Sequence, residues 1–330
     1  MPVDRPLATL AALTQRLSEA ARVLKPAGLA TLSGVASTVD AAPAALLLPV
    51  LADTVIWALQ ADDPAPLWLF LTVVYGRYPS EAEFLRHSRA AELVARDQWL
   101  GDLLESARQA WGGLVAHEMR VVTDPVVVLP EVGMPDVSSP DEAQHDGQAG
   151  EPQIAGISRL THELVVYWEA GHPFTKVEWD SGFGDAFCTV ADDFLIVPHR
   201  TTVILPDVPT TPNQVEALRS LARFSGNTVS VIGQGEFALL HPEVSTAEAV
   251  ISSAAFFSVV KYCDRVAAIS EVAAGEYAGL ISALPTQGLV GPIVRSMPLP
   301  SLGSAWTSYA ADVWAFLVDG DLAVGEEPAS

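Results

Sequence analysis

The stretch FLIVPHRTTVILPDVPTTPNQVEALRSLARFSGNTVSVIG (194–233) decides the fold. Its first two runs, FLIVP (194–198) and TTVILP (201–206), are apolar and β-branched almost throughout, the pattern of strands covered on both faces. Over 212–224 the apolar residues change to helical spacing, and TVSVI (228–232) returns to the strand pattern. Strand, helix and strand at these lengths make a crossover unit, and crossover units build parallel sheets.

Working outward, PVVVLP (125–130), FTKVEW (174–179) and DRVAAI (264–269) read as further strands, and 157–170, 246–262 and 271–284 as helices. The predicted fold class is α/β, a single Rossmann-like domain over 123–300 with a mostly parallel sheet. The first 122 residues carry no strand signal and read as an all-helical module. There Leu10, Leu13, Leu17, Ala20 and Leu24 form one apolar seam, which is short for a dimerising coil and suits packing within the module. Residues 301–330 read as a C-terminal helix and a tail, with Trp306, Tyr309, Val313, Trp314 and Leu317 on one face that packs back on the Rossmann-like domain. The segment 131–152 is rich in Pro, Gly, Ser and acid, without a basic residue, and reads as an acidic disordered loop. Metal binding by Asp141, Glu142, His145 and Asp146 is the weaker reading of that loop, since nothing rigid would hold the ligands.

Forty acidic residues against 18 basic ones give a net charge of −22, which repels nucleic acid and anionic lipid surfaces. Cys188 and Cys263 are the only cysteines and lack zinc-site spacing, so the expectation is no metal, no cofactor and two core thiols in a reducing cytoplasm. The opening MPVDRPLATL is unlike an export signal, and the most apolar window, 41–59, is broken by Pro43, Pro49 and Asp53. A cytoplasmic chain without a transmembrane segment is expected.

Several segments, in order, resemble a bacterial branch of glycosyltransferase family 4. They are IAGISRLTHELVVYWEAGHPFTKVEWD (154–180), RTTVILPDVP (200–209), VEALRSLARFSGNTVSVIG (215–233), HPE (241–243) with FFSVVKYCDRVAAISEVAAGEYAGL (256–280), and LPTQGLVGPIVRSMPLP (284–300). WTSYAADVWAFLVDG (306–320) is similar to that family's last helix. The resemblance implies the acceptor-side half of a GT-B enzyme. The nucleotide-sugar-binding half, which should stand between Pro300 and that helix, is missing. LWLFLTVVYGRYPSEAEFLRHSRAAELV (67–94) has a thinner resemblance, resting on Tyr75, Gly76, Arg77 and Pro79, to a bacterial helical repeat with an "LGR-x-P" signature.

Ligands of open α/β sheets sit beyond the carboxyl ends of the strands, where loops 131–156, 233–245 and the Ser270 turn should lie. Gly156, Ile157 and Arg159 are expected at a helix N-terminus, holding an anion or polar acceptor, or else serving only as a tight turn and a local counter-charge. Ser270 and Glu271 open a helix, where an N-cap role competes with ligand binding. In GQGEFALLH (233–241) the family's acid and proline are absent, so Glu236 offers a displaced carboxylate. His241 and Glu243 complete the acceptor or ligand-binding candidates, His241 and His199 having a plain packing alternative. No catalytic residue is assigned. The expected function is a non-catalytic or split component of glycan assembly that pairs with a full-length glycosyltransferase or separate donor domain. The alternatives are a truncated enzyme of the family, or a protein self-associating as a homo-oligomer through its N-terminal helices.

Overall fold

The computed structural model describes residues 5–25, 44–111, 117–129, 151–180, 186–188, 194–206, 211–235, 237–300 and 305–320. Five helices come first: α1 (Arg5–Leu24), α2 (Ala44–Gln60), α3 (Ala65–Tyr75), α4 (Glu81–Leu93) and α5 (Arg96–Trp111). Then follow β1 (Glu118–Val122), β2 (Val126–Val128), α6 (Glu151–Gly171), β3 (Thr175–Asp180), β4 (Ala186–Cys188), β5 (Phe194–Pro198) and β6 (Thr202–Leu205). The chain continues through α7 (Pro212–Phe224), β7 (Thr228–Gly233), α8 (Phe237–Leu240), α9 (Ala247–Val260), β8 (Arg265–Ala268), α10 (Glu271–Ile281), β9 (Ile293–Ser296) and α11 (Ala305–Val318).

The strands form one nine-stranded sheet in the order β1-β5-β4-β3-β2-β6-β7-β8-β9. From β3 to β9 every pair is parallel, and β4 alone runs against its neighbours. Ranked by appearance, these six parallel strands read 2-1-3-4-5-6, a doubly wound order that reverses direction between β2 and β6. The strand β3 belongs to two parts of the sheet: Thr175 to Val177 pair with β2, Glu178 to Asp180 with β4.

Alternation along the strands divides the core. Val126, Val128, Val203, Leu205, Val229, Val231 and Val266 share one cluster with α1–α5, α7, α9 and α10. Val127, Ile204, Ile232 and Ala267 point the other way, into a smaller cluster with Leu164, Trp168, Val313, Trp314 and Leu317 of α6 and α11. The helix α11 is fixed at its end: Arg265 donates to the Leu317 and Val318 carbonyls at 2.9 and 3.1 Å, and Ser230 to Leu317 at 2.8 Å. A cation on the last carbonyls of a helix opposes its dipole favourably.

Beyond the short strand β4, which the sequence pattern does not single out, three features differ from the sequence reading. Glu118–Val122, inside the expected all-helical 1–122, is a strand, because β5 pairs along one side and α1 supplies hydrogen bonds along the other. Gln15 Nε2 donates to the Met119 carbonyl at 2.7 Å while Gln15 Oε1 accepts the Met119 amide at 2.9 Å. Glu19 accepts the Val121 amide at 3.1 Å. The helix side chains thus close an edge that would otherwise template another strand. β9 is the second difference, a short strand flanked by Pro292 and Pro298. The amides of Ile293, Met297 and Leu299 point to β8 and its extension. The alternate positions 292, 298 and 300 are all proline, so only Val294 and Ser296 keep outward amides. Third, α6 begins at Glu151, ahead of the expected start at 157 and within the segment read as loop.

The Tyr75, Gly76, Arg77 and Pro79 signature builds the α3–α4 turn. Gly76 has φ 68, a left-handed C-cap whose amide donates to Thr72 at 2.8 Å. Arg77 holds Glu83 at 2.6 Å, and Glu83 with Ser80 completes a capping box at the start of α4. The Tyr75 hydroxyl meets His87 Nε2 at 2.9 Å. Seam residues Leu13, Leu17 and Ala20 are buried in the larger core, leaving Leu10 exposed.

Candidate functional site

In a sheet of this order the reversal between β2 and β6 opens a crevice at the carboxyl ends of the strands. Thr161 of α6 is buried and donates to the Pro206 carbonyl at the end of β6, at 3.5 Å. The turns of α6 that precede Leu160 therefore overhang this edge. Gly156, Ile157 and Arg159 lie there in helical backbone. They follow the first turn of α6, so their amides are committed to helical hydrogen bonds rather than free for an anion. This corrects the expected N-terminal placement.

Beside the crevice, β7 and β8 end at Gly233 and Ala268, which are register partners. A Cβ on Gly233 would stand 2.5 Å from Tyr277 Cε2 and 2.6 Å from Val266 Cγ1, so glycine is needed for α10 to seat on the sheet. Gly235 has φ +108, and its missing Cβ would lie 2.6 Å from Glu276 Oε2. Between the two glycines, Gln234 keeps a buried amide nitrogen without a hydrogen-bond partner. The loop 233–235 is thus clamped against Tyr277 and Glu276, neither of which the sequence reading selected. A Gly-x-Gly pair at a strand end was the available signal.

Ser270 caps α10: its hydroxyl accepts the Ala273 amide at 3.0 Å, and Glu271 stands exposed in the first turn. His241 Nδ1 and Glu243 lie 3.5 Å apart on the exposed β7–α9 connection. Glu236 lies outside the described residues. The structure therefore brings Ser270 and Glu271 beside the 233–235 loop, because β7 and β8 are neighbours, while Gly156, Ile157 and Arg159 stand on α6 across the sheet face. His199 sits at the opposite, amino-terminal end of β6, with its ring pushed down to about 4 by burial and by Arg200.

Charge in the connections at this edge is one-sided, with Arg159 of α6 and Arg219 of α7 lying just beyond them in sequence. Residues 129–157, 206–218, 234–253, 269–277 and 297–311 comprise the five connections leaving the parallel strands β2, β6, β7, β8 and β9, with the opening turns of the helices that follow. They contain no Lys or Arg, and they include Asp207, Glu243, Glu271 and Glu276. A diphosphate cradle needs cations or free amides, and these connections supply no cation. Among the described residues no group of three or more His, Cys, Asp and Glu side chains could hold a metal ion. Both cysteines are buried, and burial pushes the Cys263 thiol well up, away from nucleophilic chemistry. No described helix is long and apolar enough to cross a membrane.

No family model, curated protein or solved structure matches the chain.

Proposed function

We propose that the chain is the acceptor-side lobe of a GT-B type glycosyltransferase working without a nucleotide-sugar-binding lobe of its own, as a non-catalytic or split component paired with a partner transferase in glycan assembly. The observation that carries this reading is the passage from β9 to α11. Only residues 297–304 separate the two elements, and α11 returns at once onto α6, β6, β7 and β8. No Rossmann lobe fits in that interval, since one requires several crossover units of about 30 residues each. The acidic connections at the carboxyl edge support the same reading, because an anionic donor would meet acids there.

Sugar transfer requires a held diphosphate, charge stabilisation at the anomeric carbon and an acceptor hydroxyl in line. An acceptor-side lobe supplies the last of these. Titration of UDP-, GDP- and dTDP-sugars into the purified full chain by calorimetry is expected to show no sub-millimolar binding and no product. Turnover by the chain alone would overturn the proposal.

A further inference from the structure

Five of the eleven exposed large apolar side chains of the described residues lie at the carboxyl end of the sheet, while Val290 and Ile293 lie at the amino end of β9. Leu240, Val244, Ile251, Val272 and Leu299 all lie in connections leaving β7, β8 and β9 or in the opening turns of α9 and α10, with Val244 70% and Val272 71% exposed. A set of apolar residues at one edge marks an interaction surface, whereas single ones scattered elsewhere, such as Trp57 and Leu93, need no such account. The same connections hold Glu243, Glu271 and Glu276 and lack any Lys or Arg. Strand addition at the neighbouring β9 is blocked by its prolines, so an occupant must dock through side chains.

We infer that the carboxyl edge of β7–β9 is a docking face for a second protein whose contact surface is apolar at its centre and rimmed by Lys and Arg. Charge selects the occupant. A second copy of this chain would bring another −22 and set acid against acid, whereas a basic rim pairs with Glu271 and Glu243 and is steered toward them. The inference rests on the proposed function insofar as the occupant is a transferase, and its electrostatic part stands without that.

The test places a photo-crosslinking amino acid at Val272 or Ile251 of the full chain in its native cells, with Trp57 and Leu93 as control positions. The adduct specific to Val272 and Ile251 is identified and that protein purified. Its affinity for the full chain is then measured at about 50 and 300 mM salt. Expected is a heterologous protein with a basic contact surface, bound at least tenfold more weakly at high salt. Val272→Ser and Glu243→Lys each weaken it tenfold or more, with unchanged thermal midpoints. Adducts of the chain with itself, equal adducts from the control positions, no adduct, or salt-insensitive binding would each overturn the inference. A basic partner that is not a glycosyltransferase would uphold the docking face and sink the proposed function.

Discussion

At Gly233 a single hydrogen in place of a methyl group lets the Tyr277 ring close over the end of β7. Replacing it by alanine forces an overlap with Tyr277 and Val266 that neither can relieve by rotating away, since Tyr277 and Val266 are buried. Gly233→Ala is expected to destabilise the chain by about 1–3 kcal/mol, the usual range for overpacking, read as a lower urea midpoint. His87 and His199 act through protons. Their pKa values are pushed down to about 4 from an ordinary 6.5, by burial first and then by Arg86 and Arg200 respectively; nearby acids, including Asp102 at His87 and Asp63 at His199, partly oppose this. The unfolded chain takes up these protons at higher pH than the folded one, so stability is full above about pH 6.5 and falls as pH drops toward 4. Asp264, raised by burial, has the opposite sign and softens the fall at its acidic end. Urea midpoints measured at pH 7 and pH 4.5 should differ for the native chain and differ less for His87→Gln combined with His199→Gln. An unchanged difference would show that other groups carry the acid sensitivity.

At the scale of elements, both edges of the sheet are closed by chemistry rather than by burial alone. Gln15 offers one strand edge the donor and acceptor that a neighbouring strand would, and Gln15→Ala leaves the Met119 amide and carbonyl without those partners. The expected cost is on the order of 1–3 kcal/mol, and the freed edge should raise light scattering on mild heating. The same edges explain which elements were legible in the sequence. β2, β3, β5, β6, β7 and β8 are largely apolar runs or sit between clear turn signals, and their local pattern suffices. β1 alternates Glu118, Met119, Arg120 and Val121, a pattern that becomes a strand only with β5 on one side and α1 on the other. β9 joins Ile293 and Val294 to Arg295 and Ser296, a mixed run with no clear period, and β4 is a three-residue strand fixed by its antiparallel pairing with β3. The site was legible as a place, the carboxyl edge, and less so in its residues. Ser270 announced its capping role by position, whereas the clamp of Gly233 and Gly235 by Tyr277 and Glu276 joins segments that only the fold brings together.

For the whole molecule, the helices that precede the sheet and the sheet itself share one core, and buried polar contacts tie the layers. Trp68 of α3 donates to Ser220 of α7 at 2.9 Å, and the Tyr78 hydroxyl donates to the Ile196 carbonyl of β5 at 2.5 Å. Phe84 of α4 stacks on Phe224 of α7 with ring centroids 3.9 Å apart, while Glu81 of α4 pairs with Arg219 and Arg223 of α7. Neither layer can leave without exposing the apolar face of the other, and the Trp68 and Tyr78 donors would then lose partners. Unfolding by urea should therefore be one transition, with tryptophan fluorescence and far-ultraviolet circular dichroism giving coincident midpoints. Tyr78→Phe should lower both midpoints together, by about 1–3 kcal/mol, because the Ile196 carbonyl loses that donor in a buried site. A chain lacking residues 1–111 should bind a hydrophobic dye and melt without a cooperative transition. If it instead folds with a sharp transition of its own, the helices are a separable module and the shared core contributes little to holding the sheet.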